Sequence, residues 1–400
     1  MWTFQTRRYG LAATSSLLCC LMTLCAGGCN ESMQPSQVLE LSEPHTVMAL
    51  SNDGTILALG TGLDTRFYYG DEQKSSLILL NTHSLEPLTA PVLFSHSVSH
   101  IEFVSEEFGF LVGVSNDFSE VLDVAERTER QAHGSIHKVG LDGSSKLIAE
   151  RLPMPFTSLA VSPDHKVAAV CSAAQFGEDA KCRFVNLEDG NILSMFSPSF
   201  CETLTVTFSG DSQYGVLVTN ERLHPAVGRP EPTPDEHWTR MFLVAVTTGD
   251  LVETKLLCDS NESIVPPLQT SHTTGEHHVL YSRDIVSVLV QNKKIVMQEV
   301  FRREVSSLPR TARIFAFDFD PINKRIALAD TYDGSHTGCN IWFVDVPSTK
   351  LASCQIARKD RLFQVKFSPD GLSLFALVQV KPRFRSVVVK YDLQKLSECF

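Results

Sequence analysis

The chain has 400 residues, 35 basic against 46 acidic, and a formal net charge of −11. That acidic balance argues against nucleic acid, whose phosphates reward lysine and arginine, and against broad docking on anionic lipid. With 43% hydrophobic residues it is globular rather than disordered, yet it is long for a single hydrophobic core.

Met1 to Gly28 has the composition of a targeting segment. Arg7 and Arg8 supply a basic start, and Leu11 to Leu24 is an apolar run of 14 residues, too short to cross a bilayer as a helix. The run leads into Ala26-Gly-Gly-Cys29. Small residues directly before a cysteine at this place resemble the lipobox of bacterial lipoproteins. The resemblance implies cleavage before Cys29 and diacylation of that residue. Asn30, rather than Asp, is compatible in that family with onward sorting to an outer membrane. An ordinary secretory signal cut nearby is the alternative. Loss of residues 1–28 removes Arg7 and Arg8 and no acid, leaving 33 basic against 46 acidic residues, net −13. Residues 29–36 then form a lipidated cysteine and a short tether, and residues 37–400 a β-propeller domain.

The propeller expectation comes from a repeat. Phe363-Gln-Val-Lys-Phe-Ser-Pro-Asp-Gly-Leu-Ser-Leu-Phe-Ala-Leu-Val378 reads as strand, tight turn, strand. Aligned on the first turn residue, the same hairpin recurs at Ser51, Ser105, Ser162, Ser209, Asp320 and Ser368. The steps are 54, 57, 47, 111 and 48 residues; the long one is two periods, divided by a degenerate copy at Pro267–Ser271. A second hairpin follows each first one. Four strands per unit, seven units and almost no helical periodicity predict an all-β chain, a seven-bladed β-propeller of four-stranded antiparallel blades. A β-sandwich is the alternative. Gln37-Val-Leu-Glu-Leu-Ser42 and Lys395–Phe400 compete for the outer position that would close the ring. The pattern resembles bacterial WD-repeat-like and YVTN-type propellers over about residues 37–400, with Leu217-Val-Thr-Asn220 the nearest approach to the latter motif. Some YVTN-type relatives are lactonases and others are surface or envelope proteins.

Seven cysteines remain after the targeting segment and Cys29. Cys171 and Cys182 fall on adjacent strands and are expected to form a disulfide in an oxidising compartment; Cys339 and Cys354 are a weaker pair. No Cys-x-x-Cys spacing supports a metal, no catalytic motif is present, and no cofactor is expected.

The connections from second to third strand should all open on one face, at Thr61–Ser75, Ser115–Gly134, Ser172–Lys181, Thr219–Arg240 and Asp330–Gly338. The richest, Asn220 to Arg240, offers Arg222, His224, Arg229, His237, Trp238 and Arg240 for binding; a solvated crossing is the bland alternative. Arg66, Tyr68 and Tyr69 could line a polar mouth. His272, His277 and His278 read as surface histidines near a turn. The expected function is a membrane-anchored envelope lipoprotein whose propeller is a protein-binding platform, with envelope proteins as partners, attachment through the acyl chains and no nucleic acid. The competing expectations are a lactonase-like hydrolase at the channel mouth and a carbohydrate- or small-ligand-binding module. The small-molecule ligand, if any, is not identified by these residues.

Overall fold

A computed structural model of the chain describes residues 35–62, 75–115, 134–152, 156–172, 179–198, 201–222, 237–258, 268–270, 277–281, 284–301, 313–331, 340–346, 350–355, 361–380 and 385–394. The described residues are all-β, and no helix among them is long and apolar enough to cross a membrane. The first strand, β1 (Gln37–Glu40), leaves its sequence neighbours and joins a sheet formed by the far end of the chain. From there each group of four consecutive strands makes one antiparallel sheet.

In chain order these are β2 (His45–Leu50), β3 (Ile56–Thr61), β4 (Ser75–Asn81) and β5 (Val92–Phe94). Next come β6 (Val98–Ser105), β7 (Gly109–Val114), β8 (Gly134–Val139) and β9 (Ser145–Leu152). The third group is β10 (Phe156–Val161), β11 (Val167–Ser172), β12 (Lys181–Asn186) and β13 (Ile192–Phe196). It is followed by β14 (Cys201–Phe208), β15 (Tyr214–Arg222), β16 (His237–Ala245) and β17 (Leu251–Cys258). The degenerate copy folds as β18 (Leu268–Thr270), β19 (His277–Tyr281), β20 (Asp284–Gln291) and β21 (Lys294–Phe301). After it stand β22 (Arg313–Asp320), β23 (Arg325–Thr331), β24 (Asn340–Asp345) and β25 (Lys350–Gln355). The last three strands, β26 (Arg361–Phe367), β27 (Ser373–Val380) and β28 (Arg385–Asp392), receive β1 as their fourth.

The first strands of successive sheets lie against one another, and β26 returns to lie against β2. The sheets are therefore arranged as a β-propeller. Each sheet is covered on both faces, which is why β4 and β7 read as nearly unbroken apolar runs rather than alternating ones. The cores sit between neighbours. Leu111, Ile136, Leu159, Val170 and Val185 fill the gap between the β6–β9 and β10–β13 sheets. Leu39, Leu41, Met48, Leu59, Phe375 and Leu377 fill the gap between the last sheet and the first.

The serine–aspartate turns show why the repeat recurs. Ser368 Oγ donates to Asp370 Oδ1 and accepts from Ser373 N at 2.8 Å, while the Gly371 N–H reaches back to the Ser368 carbonyl at 2.8 Å. The same arrangement joins Ser51 to Asp53 and Ile56, Ser162 to Asp164 and Val167, and Ser209 to Asp211 and Tyr214. The fourth residue has positive φ in each: Gly54, His165, Ser212 and Gly371. At Gly371 a side chain has no room as well, because a Cβ would stand 2.8 Å from the Asp320 carboxylate of the neighbouring turn. Asp320, at the serine's position in its turn, bonds differently: its carboxylate accepts from the N–H groups of Ile322 and Asn323.

Ring closure falls to β1. Leu39 pairs with Val388 and Val38 with Val389. Leu39 and Leu41 are buried, and Gln37 Nε2 donates to the His83 carbonyl of the first sheet at 2.6 Å. Of the two segments competing for the outer position, 37–42 holds it; 395–400 lies outside the described residues.

Candidate functional site

The two faces of the propeller are built differently. On one face, described turns are short and hydrogen-bonded within themselves, as in the serine–aspartate turns above and at Asn186–Asn191, while 82–91 is a longer connection there. Long connections from second to third strand are 62–74, 115–133, 173–180, 223–236 and 332–339, whereas 282–283 and 381–384 are short. All leave from the opposite face, because every sheet has the same strand order.

The sequence-predicted site residues divide accordingly. Cys29, Arg66, Tyr68, Tyr69, His224 and Arg229 lie outside the described residues, as does His272. Arg222, His237, Trp238 and Arg240 were expected in a loop but belong to strands. β15 and β16 run on past the apolar core, pairing Arg222 with His237, Glu221 with Trp238 and Thr219 with Arg240. The connection proper is therefore 223–236, and these residues form its paired base. His277 and His278, expected near a turn, begin β19 directly after the 271–276 connection, opposite Val288 and Ser287.

Cys171 and Cys182 form a disulfide, with Cα atoms 4.0 Å apart. The two are direct cross-strand partners in β11 and β12, both buried, and the bond closes the base of the 173–180 connection. Adjacency of second and third strands is enough to bring them together once the four-strand unit is formed.

The inner strands carry a feature absent from the sequence reading. An inner edge exposes unpaired N–H groups, and side chains of the preceding sheet cap them. Gln364 Oε1 accepts from Met48 N at 2.6 Å, Asp318 Oδ2 from Phe367 N at 2.6 Å and Ser158 Oγ from Val206 N at 3.1 Å. Burial pushes the Asp318 carboxyl up, opposed by Lys366, whose Nζ lies 3.6 Å from Oδ1. Burial likewise lowers His100, opposed by the charge of Glu102 and a bond to the Thr157 backbone. The signal that could have found them is a polar residue interrupting the apolar first strand two to four positions before the turn.

His45 is the most perturbed group at the closing seam. Its backbone N–H donates to Ser386 Oγ at 2.7 Å, and Ser386 Oγ donates back to its carbonyl at 2.8 Å. Nδ1 lies 3.0 Å from the Glu43 carbonyl and therefore carries the proton, which leaves Nε2 buried without a partner. Burial lowers its pKa to about 4, against the raising effect of the Glu43 bond. Chemically these inner groups are edge caps and seam links. Among the described residues no group of three or more His, Cys, Asp or Glu is placed to hold a metal. No protein-family model matches the chain, and no curated protein matches it.

Proposed function

We propose that this chain is a lipid-anchored envelope protein whose propeller closes as seven four-stranded blades and presents its loop face to partner proteins. The observation that carries the reading is the asymmetry of the two faces. One carries serine–aspartate turns whose polar groups bond among themselves; the other gathers the longest connections, 62–74, 115–133 and 223–236. Long connections on a rigid scaffold are where binding concentrates. The seven-blade count rests on the repeat together with the return of β26 to β2. Anchoring rests on Ala26-Gly-Gly-Cys29 behind a short apolar run, and mass spectrometry of the mature N-terminus tests it.

Replacing 223–236 with a short Gly-Ser connection tests the platform while leaving the paired base at Arg222 and His237 intact. With folding retained, proteins captured from detergent-solubilised envelope by the full chain should be lost by the variant. Complete retention of every captured protein would remove this connection from the interface. Trp238→Ala narrows the contact, since tryptophan and arginine dominate binding hot spots.

A further inference from the structure

On the face of the serine–aspartate turns, where the core between the β6–β9 and β10–β13 sheets meets solvent, a pocket of about 410 Å³ opens. It is lined by Phe108, Lys138, Ser144, Lys146, Ile148 and Leu187, with Glu188 at the same site. Lys138 and Lys146 are directly opposite each other across β8 and β9. Like charges in that relation destabilise a sheet. Among the described residues no ion pair joins either lysine to an acid: Asp142 is occupied by Ser144, and Lys138 instead stacks with Nζ 4.6 Å from the Phe108 ring centroid. In a chain of net charge −11, the pocket sets two lysines over an apolar floor.

We infer that this pocket binds a small monoanion with an apolar body, a carboxylate on a short alkyl or aryl group. The two ammonium groups supply the anion site, and Phe108, Ile148 and Leu187 supply the apolar contact. The pocket is within the size range of small-molecule sites, which pair apolar walls with a few placed polar groups. Glu188 reduces the local balance from two positive charges to one, which matches a single negative charge and disfavours polyanions. The acidic chain as a whole repels polyanions further. The site is on the face opposite the proposed protein platform, so the two readings fail separately.

Octanoate is the probe, titrated into the intact mature chain by calorimetry at pH 7, with octanamide and inorganic phosphate as comparators. Octanoate should bind saturably, more tightly than either comparator, and weaken as salt is raised. Lys138→Met with Lys146→Met keeps the stem packing on Phe108 and removes both charges. It should weaken octanoate by about tenfold or more, equivalent to ~1.4 kcal/mol. Should that pair disturb folding, Lys146→Gln alone, at an exposed position, should still weaken octanoate severalfold. Absence of saturable binding, equal binding of octanamide, or an unchanged affinity in the folded lysine variants would each overturn the assignment.

Discussion

His45 shows how one residue can set the acid response of the closing seam. Its native pKa of about 4 stands below the ordinary 6.5, so the unfolded chain takes up a proton first as pH falls. The contribution is fully present above about pH 6.5 and is lost as pH falls toward 4, amounting to roughly 3 kcal/mol at one pKa unit per 1.36 kcal/mol. Between pH 7.5 and 4.5, urea denaturation of the native chain should therefore weaken more steeply than that of His45→Gln. Parallel slopes would show that the imidazole does not titrate this way. The turn aspartates act lower. Burial works against the charge of Asp370, but bonds from Ser368 and the Leu372 N–H outweigh it and hold the carboxyl below its ordinary value. Its contribution is lost only as pH falls below the ordinary carboxylate range. Ser368→Ala removes the bond to Asp370 and the acceptor for Ser373 N, at a cost of about 1–2 kcal/mol. Ser105 accepts only from Phe108 N and has no aspartate two residues on. Ser105→Ala should therefore cost less in the same denaturation assay, and an equal cost would mean the serine–aspartate bond adds nothing.

Among the elements, β1 depends most on the rest of the chain. Leu39 is 1% exposed and packs with Met48, Leu57 and Phe375 across the seam. Leu39→Ala should destabilise by about 2–5 kcal/mol, measured by thermal unfolding; a change under about 0.5 kcal/mol, the range of neutral surface substitutions, would mean β1 is dispensable. The hairpins at Ser51, Ser162, Ser209 and Ser368 were legible because a serine–aspartate turn between apolar strands has one local solution. The Cys171–Cys182 bond was legible for the same reason, since strand adjacency alone places the pair. The ends of β15 and β16 were not. Asn220-Glu-Arg222 and His237-Trp-Thr-Arg240 lack apolar alternation, because that part of the ladder extends beyond the core. The choice of closing strand was not legible either: 37–42 and 395–400 have similar local character, and only the Leu39 and Leu41 contacts with the first sheet separate them. The caps at Ser158, Asp318 and Gln364 escaped because their partners are backbone groups of another sheet: the local pattern shows a polar residue in the first strand but not what it bonds.

At the scale of the whole molecule, closure joins residues more than 300 positions apart, and the core between the last sheet and the first depends on it. The seam holds through β1 on β28, the His45–Ser386 links and the Lys390 Nζ bond to the Thr82 carbonyl at 3.0 Å. The loop face and the pocket on the opposite face both presuppose that ring. Its most direct test is a Val38→Cys/Val389→Cys variant, since these two residues are direct partners in the closing pair. Under mild oxidation, peptide mapping should recover a disulfide between positions 38 and 389 in nearly all molecules, and the bond should raise the thermal midpoint. Free thiols at both positions, under conditions where Cys171 and Cys182 are fully bridged, would contradict closure by β1.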